Sequence, residues 1–211
     1  MVELAKMAEI QEAKVSETAG FREIKPESDI KSSDAKQFWD GQFDNSNTNE
    51  AGQKEYYDDN GEKYRTGNQL EPNKKFEVNG YTFETDDKGR TISAEGQLRM
   101  RSPEFKRDMD SMDAVGKGDQ KNGDQRGHLI GHQFEGSGGI ENLVPMEGKL
   151  NQGDYVKLET TLADAVKDGA DVKLKVEPVY EGDSNRPSEF RVSYSIDGDK
   201  NVVTFRNGNG D

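Results

Sequence analysis

The chain has 211 residues, 42 of them acidic against 29 basic, for a formal net charge of −13. With 30% hydrophobic and 34% charged residues, it has material for one domain plus a tail, or for two small domains. The absence of Cys excludes disulfide scaffolds, thiolate zinc sites and a cysteine nucleophile. No apolar run approaches the roughly 18 residues that span a bilayer, so no membrane insertion by this chain is expected. The opening residues Met1 to Met7 lack the apolar block of a signal peptide. The acidic balance also argues against a protein that coats nucleic acid generically, because such proteins carry a basic excess.

Residues 1–60 hold 14 acids and 7 bases, with a weak helical period only over Leu4–Val15. The stretch Gln42–Asn49 is polar and turn-rich. Such a segment cannot bury enough apolar area to offset the entropy of ordering. It reads as an acidic, partly disordered extension, with Phe38, Trp39 and Phe43 as its candidate docking residues. Residues 61–211 read as the folded domain. Phe76–Val78 and Tyr81–Glu84 flank Asn79-Gly80, a strong hairpin signal. The turn Asp86–Gly89 leads into a strand over Thr91–Leu98. Ser102 and Pro103 look like the cap and first position of a short helix over 103–113, and 115–127 read as a loop rich in Gly and Asp. A second helix is expected from Asn151 to Lys167, with Tyr155, Leu158, Leu162 and Val166 at spacings of three and four and Asp168-Gly169 ending it. Three strands follow at Val172–Tyr180, Phe190–Ile196 and Val202–Arg206. The expected class is therefore α+β.

The chain contains two histidines, His128 and His132. With Glu135 they invite a zinc-hydrolase reading. A zincin helix carries Glu directly after the first His, where this chain has Leu129, and Gly127 and Gly131 weaken any helix there. The pattern Asp124-Gln125-Arg126-Gly127-His128 points elsewhere. Gly lets backbone approach an anion, Arg forks onto phosphate, and imidazole takes a proton from water. Those are the parts needed to hydrolyse a phosphodiester. Without the His128 motif, Asn142 and Asn151 read as a turn residue and a helix cap, Glu159 as an exposed helix residue, and His132 as a structural or substrate-contact residue.

Asp-x-Arg-Gly-His, then Asn142-Leu143-Val144-Pro145, then Leu150-Asn151-Gln152-Gly153, an aromatic at Tyr155 and Leu158-Glu159, together resemble the DNA/RNA non-specific endonucleases of the ββα-metal (His-Me finger) type. Pro178-Val179-Tyr180 and Asn185-Arg186-Pro187 resemble the family's continuation, so the likeness runs over roughly 60–207. The variant with His128-Leu129-Ile130 and Gly139 to Pro145 looks like the branch found as C-terminal nuclease toxins of secreted bacterial polymorphic toxins. The resemblance implies an antiparallel sheet with a ββα-metal core. It implies His128 as general base and Asn151 as the single direct protein ligand of Mg²⁺, with Mn²⁺ tolerated. Glu159 would act on the ion through water, Asn142 would hold backbone in place, and Arg126 would contact phosphate. It further implies a DNA substrate, with RNA as an alternative, and a cognate immunity protein. Secretion would use a dedicated bacterial system, with action in the target-cell cytoplasm.

Two positions depart from the family pattern. Gln125 separates Asp124 from Arg126, and Ala163 stands one turn after Glu159 where many members carry Arg. Arg186, Arg99 and Arg101 are the candidate substitutes for that cation, Arg186 as a substrate contact. The departure at Ala163 motivates a rival reading, a non-catalytic nucleic-acid or protein binding module on a degenerate nuclease fold. A chain of this net charge should also hold nucleic acid weakly and lose it readily with salt.

Overall fold

In a computed structural model, residues 45–105, 109, 110 and 112–208 are described. They lie in the unit Asp44–Asp211. The readings made for Leu4–Val15, Phe38, Trp39 and Phe43 lie outside the described residues. Polar strands open the unit: β1 (Ser46–Thr48), β2 (Lys54–Tyr57), β3 (Lys63–Thr66) and β4 (Gln69–Leu70) form one antiparallel sheet in that order. Residues 46–57, expected in the extension, thus belong to a sheet. Its strands are held by backbone pairing, with Asn47 opposite Glu55 and Tyr56 opposite Arg65, which polar side chains do not advertise.

A six-stranded sheet carries the core, in the order β12-β11-β10-β7-β6-β5. β5 (Lys75–Val78) and β6 (Tyr81–Thr85) form the expected hairpin, with Asn79 and Gly80 at φ 55° and 70°. Positive φ at both central residues is what a turn matching strand twist demands. β7 (Thr91–Gln97) pairs across to β10 (Val172–Tyr180), which pairs with β11 (Pro187–Ile196), and β12 (Asp199–Arg206) closes the row. Val172, Leu174 and Val176 are buried while Lys173 is exposed, so one face of β10 is apolar, as a half-buried strand requires.

Between β7 and β10 runs the segment that carries the motif. Of the span 103–113 expected as a helix, residues 103–105 form a turn, closed by Phe105 N–H to the Ser102 carbonyl at 3.2 Å, and a short helix α1 covers Met112–Gly116, while 106–108 and 111 lie outside the described residues. β8 (Asp124–His128) and β9 (Leu143–Glu147) form a separate two-stranded antiparallel ribbon, with His128 opposite Leu143. β9 runs straight into α2 (Gly148–Gln152) and α3 (Asp154–Lys167). The helix expected as one piece is therefore broken at Gly153, whose φ/ψ of −112°/−103° is not helical. The β8-β9-α2/α3 unit is the ββα arrangement, in an α+β fold whose sheets are antiparallel.

Tyr155 fastens α3. Its ring is buried against Phe190 and Phe205 at centroid distances of 6.2 and 5.6 Å, and its hydroxyl donates to the Leu129 carbonyl at 2.8 Å. One side chain thus ties the helix to the large sheet and to the residue after His128.

Candidate active site

His128 is half-buried at the end of β8, where the ribbon gives way to the loop 129–142. That loop is set by Asn142, which is fully buried. Its Oδ1 accepts from Ile130 N–H at 2.9 Å, while its Nδ2 donates to the Ile130 and Ser137 carbonyls, both at 2.9 Å. Leu129 N–H also donates to the Asn142 carbonyl at 2.9 Å. Asn142 thus acts as a strut that fixes the backbone immediately after His128. Close packing at Gly136 supports it, since a Cβ there would collide with the Ile130 carbonyl. Glu141, next in chain, is fully buried, with Oε1 accepting from the Ser137 hydroxyl; burial raises its pKa, which favours the neutral acid there.

Gly127 has a different role from the one its motif suggested. It is buried, and a Cβ on it would run into the Met146 side chain. The glycine lets β9 pack against β8. Arg126 is half-buried; its Nη1 donates to the Asp110 carbonyl at 2.8 Å. Asp110 is itself clamped by the buried Arg65 (2.9 Å from Nη2 to Oδ1) and by Ile140 N–H at 2.9 Å, so Arg126 leans on a rigid frame.

Asn151 sits on α2, half-buried, and comes back to the ribbon: its Nδ2 donates to Gln125 Oε1 at 2.8 Å. Glu159 lies on α3 with its carboxylate against Gly131, where a Cβ would overlap Oε1. Removal from water pushes its pKa up to about 7. His128, Arg126, Asn151 and Glu159 are therefore gathered around β8 and the loop that follows it. Gln125, which looked like an intrusion in the motif, is the contact that brings Asn151 there.

Arg186 is placed elsewhere. It is buried, its Nε and Nη2 pair with both oxygens of Asp124 at 2.7 and 2.9 Å, and it donates to the Asn207 and Gly208 carbonyls. Burial alone would raise the Asp124 pKa, but Arg186 and the Lys121 N–H outweigh it and hold the carboxylate below its ordinary range. Arg186 locks β8 to β11 and the end of β12, which corrects its expected place among the substrate contacts. Arg99 is engaged too, donating to Glu135 Oε2 at 2.5 Å and the Asn79 carbonyl at 2.6 Å. Arg101 is exposed, with Nη1 2.6 Å from His132 Nε2 and its backbone N–H on the Gln133 carbonyl at 2.8 Å. Ala163 is buried in the core.

The zinc-hydrolase grouping does not form. Glu135 is held by Arg99 and by Ser102 N–H at 2.9 Å, and among the described residues no three His, Asp or Glu side chains converge on a metal-sized site. No described helix is long and apolar enough to cross a membrane.

The Glu159 environment yields a testable consequence. The unfolded chain ionises near 4.5 and the folded metal-free chain near 7. The native state therefore binds more protons across that window, and its stability falls as pH rises through it, by up to about 3 kcal/mol. Glu159→Gln is expected to melt higher than wild type at pH 8 in EDTA, by several degrees, and equally at pH 4.5. Equal melting at pH 8 would show that the carboxylate is not desolvated.

Comparison with known proteins places the chain. The family model for DNA/RNA non-specific endonucleases matches residues 72–198. Type VII secretion system protein EssD of Staphylococcus aureus, strains USA300 and NCTC 8325 / PS 47, is 33% identical over 134 residues, which is 61% of this chain and 22% of EssD. The chain thus spans about a fifth of the length of these relatives. Among solved structures, Streptococcus agalactiae NucA with no metal bound is 16% identical, covers 83% of this chain and 89% of its own, and has a TM-score of 0.46. Sda1 nuclease with bound zinc is 16% identical over 60% of this chain and 75% of its own, with a TM-score of 0.48. The family match covers more than half of the sequence, including the whole stretch from β8 to α3: the chain belongs to the DNA/RNA non-specific endonuclease family.

Proposed function

We propose that the chain is the nuclease portion of a secreted antibacterial toxin, and that it hydrolyses DNA phosphodiesters, and RNA as a second substrate, with His128 as general base and a divalent ion at Asn151. The observation that supports it best is the hydrogen bond from Asn151 to Gln125, which brings α2 to the strand that ends in His128.

The donor set fits a hard cation. With Nδ2 occupied by Gln125, the Asn151 Oδ1 is the free end of the amide among the described hydrogen bonds, and the Glu159 carboxylate is desolvated. An amide oxygen and one carboxylate acting through intervening water suit Mg²⁺, with Mn²⁺ accepted. Such an ion, when bound, neutralises charge on the scissile phosphate and its leaving oxygen. The protein's own part is then distinct. His128 takes the proton from the attacking water at an imidazole nitrogen, and Asn142 keeps the loop behind it from shifting. Arg126 offers the guanidinium N–H groups not used on Asp110 to a phosphate oxygen. The exposed Arg101, with its guanidinium beside His132, is the candidate for the cation that Ala163 does not supply. Contacts to phosphate rather than to base edges give cleavage without sequence preference.

The toxin role draws on the likeness to EssD, a type VII secretion system protein. Export by a dedicated secretion system, action in the cytoplasm of a target cell and neutralisation by an immunity protein over the His128–Asn151 region belong to this reading.

Nicking of supercoiled plasmid tests it. Cleavage is expected with Mg²⁺ or Mn²⁺, to stop in EDTA, to return on adding back Mg²⁺, and to be lost in Asn151→Ala. No cleavage with any metal would move the chain to the binding-module reading.

A further inference from the structure

We propose that Gln125 is the positioning residue that decides which end of the Asn151 amide faces the divalent ion. The proposal rests on the metal-site reading above and goes beyond it to the role of a residue that does not itself ligate the ion. An Asn side chain carries an acceptor at one end and donors at the other, and a half-turn about its last bond exchanges them. Only the oxygen ligates a hard cation. Nothing within Asn151 selects the correct half-turn; a fixed neighbour must.

That neighbour is the residue before Arg126. Gln125 presents its Oε1 to Asn151 Nδ2 at 2.8 Å, so the donor end is turned toward β8 and the oxygen away from it. The glutamine is itself held in place. Its backbone lies in the β8–β9 ladder opposite Met146, and its amide packs on the first residue of α2, where a Cβ on Gly148 would lie 3.3 Å from its Nε2. The same contact joins strand to helix across 26 residues, so the amide orientation and the position of α2 are set together. Gln125 is neutral and adds no charge beside Asn151. The site therefore combines low charge with a preset ligand.

The requirement is for an acceptor, not for a glutamine, and this makes the test one of polarity. Gln125→Glu keeps an acceptor for Nδ2. Gln125→Leu removes it. Gln125→Lys places a donor there, which satisfies Oδ1 and turns the wrong end of Asn151 outward. Mn²⁺ binding to the full chain, followed by calorimetry or by loss of the free-ion electron paramagnetic resonance signal, reads the effect without catalysis. Gln125→Leu is expected to weaken Mn²⁺ by about tenfold to a hundredfold, the usual cost of losing a partner of a metal ligand. Gln125→Lys should bind at least as poorly and Gln125→Glu at least as well as wild type, whatever their melting temperatures. In the metal-free wild type, the Asn151 side-chain amide protons should show slowed exchange by nuclear magnetic resonance, so a variant that fails to fold does not block the test.

Unchanged Mn²⁺ affinity in Gln125→Leu, with binding lost in Asn151→Ala, would overturn the role of Gln125 and keep the metal site. Unchanged affinity in Asn151→Ala would overturn both. Weakening by Gln125→Glu equal to that by Gln125→Leu, or freely exchanging Asn151 amide protons in the wild type, would also overturn it.

Discussion

His128→Ala is expected to lower plasmid nicking by about 10²–10⁴-fold, the span that loss of a positioned general base commonly costs. The fold should tolerate the change. His128 is the last residue of β8 and is half-buried, and its pairing with Leu143 runs through backbone that alanine retains. The loop behind it is fixed by Asn142 and Tyr155, neither of which is altered. The melting curve of the variant should therefore overlay that of wild type, and its loss should be the same at every Mg²⁺ concentration. Asn151→Ala differs in this respect, because a lost ligand shifts the metal requirement. Near-wild-type nicking by a folded His128→Ala protein would remove the imidazole from the chemistry and end the mechanism proposed for this chain.

Arg186→Ala is expected to produce the largest stability loss, about 3–5 kcal/mol, because it leaves Asp124 charged and unpaired in the interior. Both side chains are enclosed, at 5% and 2% exposure, and the guanidinium also satisfies the carbonyls of Asn207 and Gly208. Against a total stability of about 5–15 kcal/mol this is a large fraction. Urea denaturation should show the midpoint falling sharply, with nicking by the fraction still folded little changed. The opposite pattern, an intact midpoint with a raised substrate requirement, would restore Arg186 to the substrate surface. Since Asp124 is held below its ordinary pKa in the native state, its contribution is present at neutral pH and is lost as pH falls through that depressed value. Wild type should therefore be more sensitive to acid than Arg186→Ala relative to its own neutral-pH stability.

These outcomes separate what local sequence signals carry from what they do not. Asn79-Gly80 announced its hairpin because the turn chemistry is contained in two residues, and Val172, Leu174 and Val176 announced β10 because alternation is a property of one strand. Tyr155, Leu158 and Leu162 announced α3 in the same way. The break at Gly153 escaped that stripe, since its residues from Tyr155 to Val166 all lie beyond the break. Asn47, Lys54 and Lys63 gave no strand signal because their sheet is secured by backbone pairing. The proposed site is legible as a set of residue types, Asn142 among them, whose amide bonds the backbone of Ile130. Three things needed coordinates. The Arg186–Asp124 pair spans 62 positions, the packing of Met146 over Gly127 gives that glycine its purpose, and the Gln125–Asn151 contact joins two elements whose separate patterns are silent about each other.

The contacts that assemble the proposed site are short in sequence. Gln125 with Asn151 and Tyr155 with Leu129 each close a span of 26 residues, whereas the large sheet must join Glu95 to Lys175. Small loops close at lower entropic cost and sooner than large ones. A chain starting from the unfolded state should thus gather its ββα unit before the sheet completes around it. With no cysteine in the sequence, no thiol oxidation has to follow. Recovery of the site after complete unfolding therefore proceeds alike in reducing and oxidising surroundings.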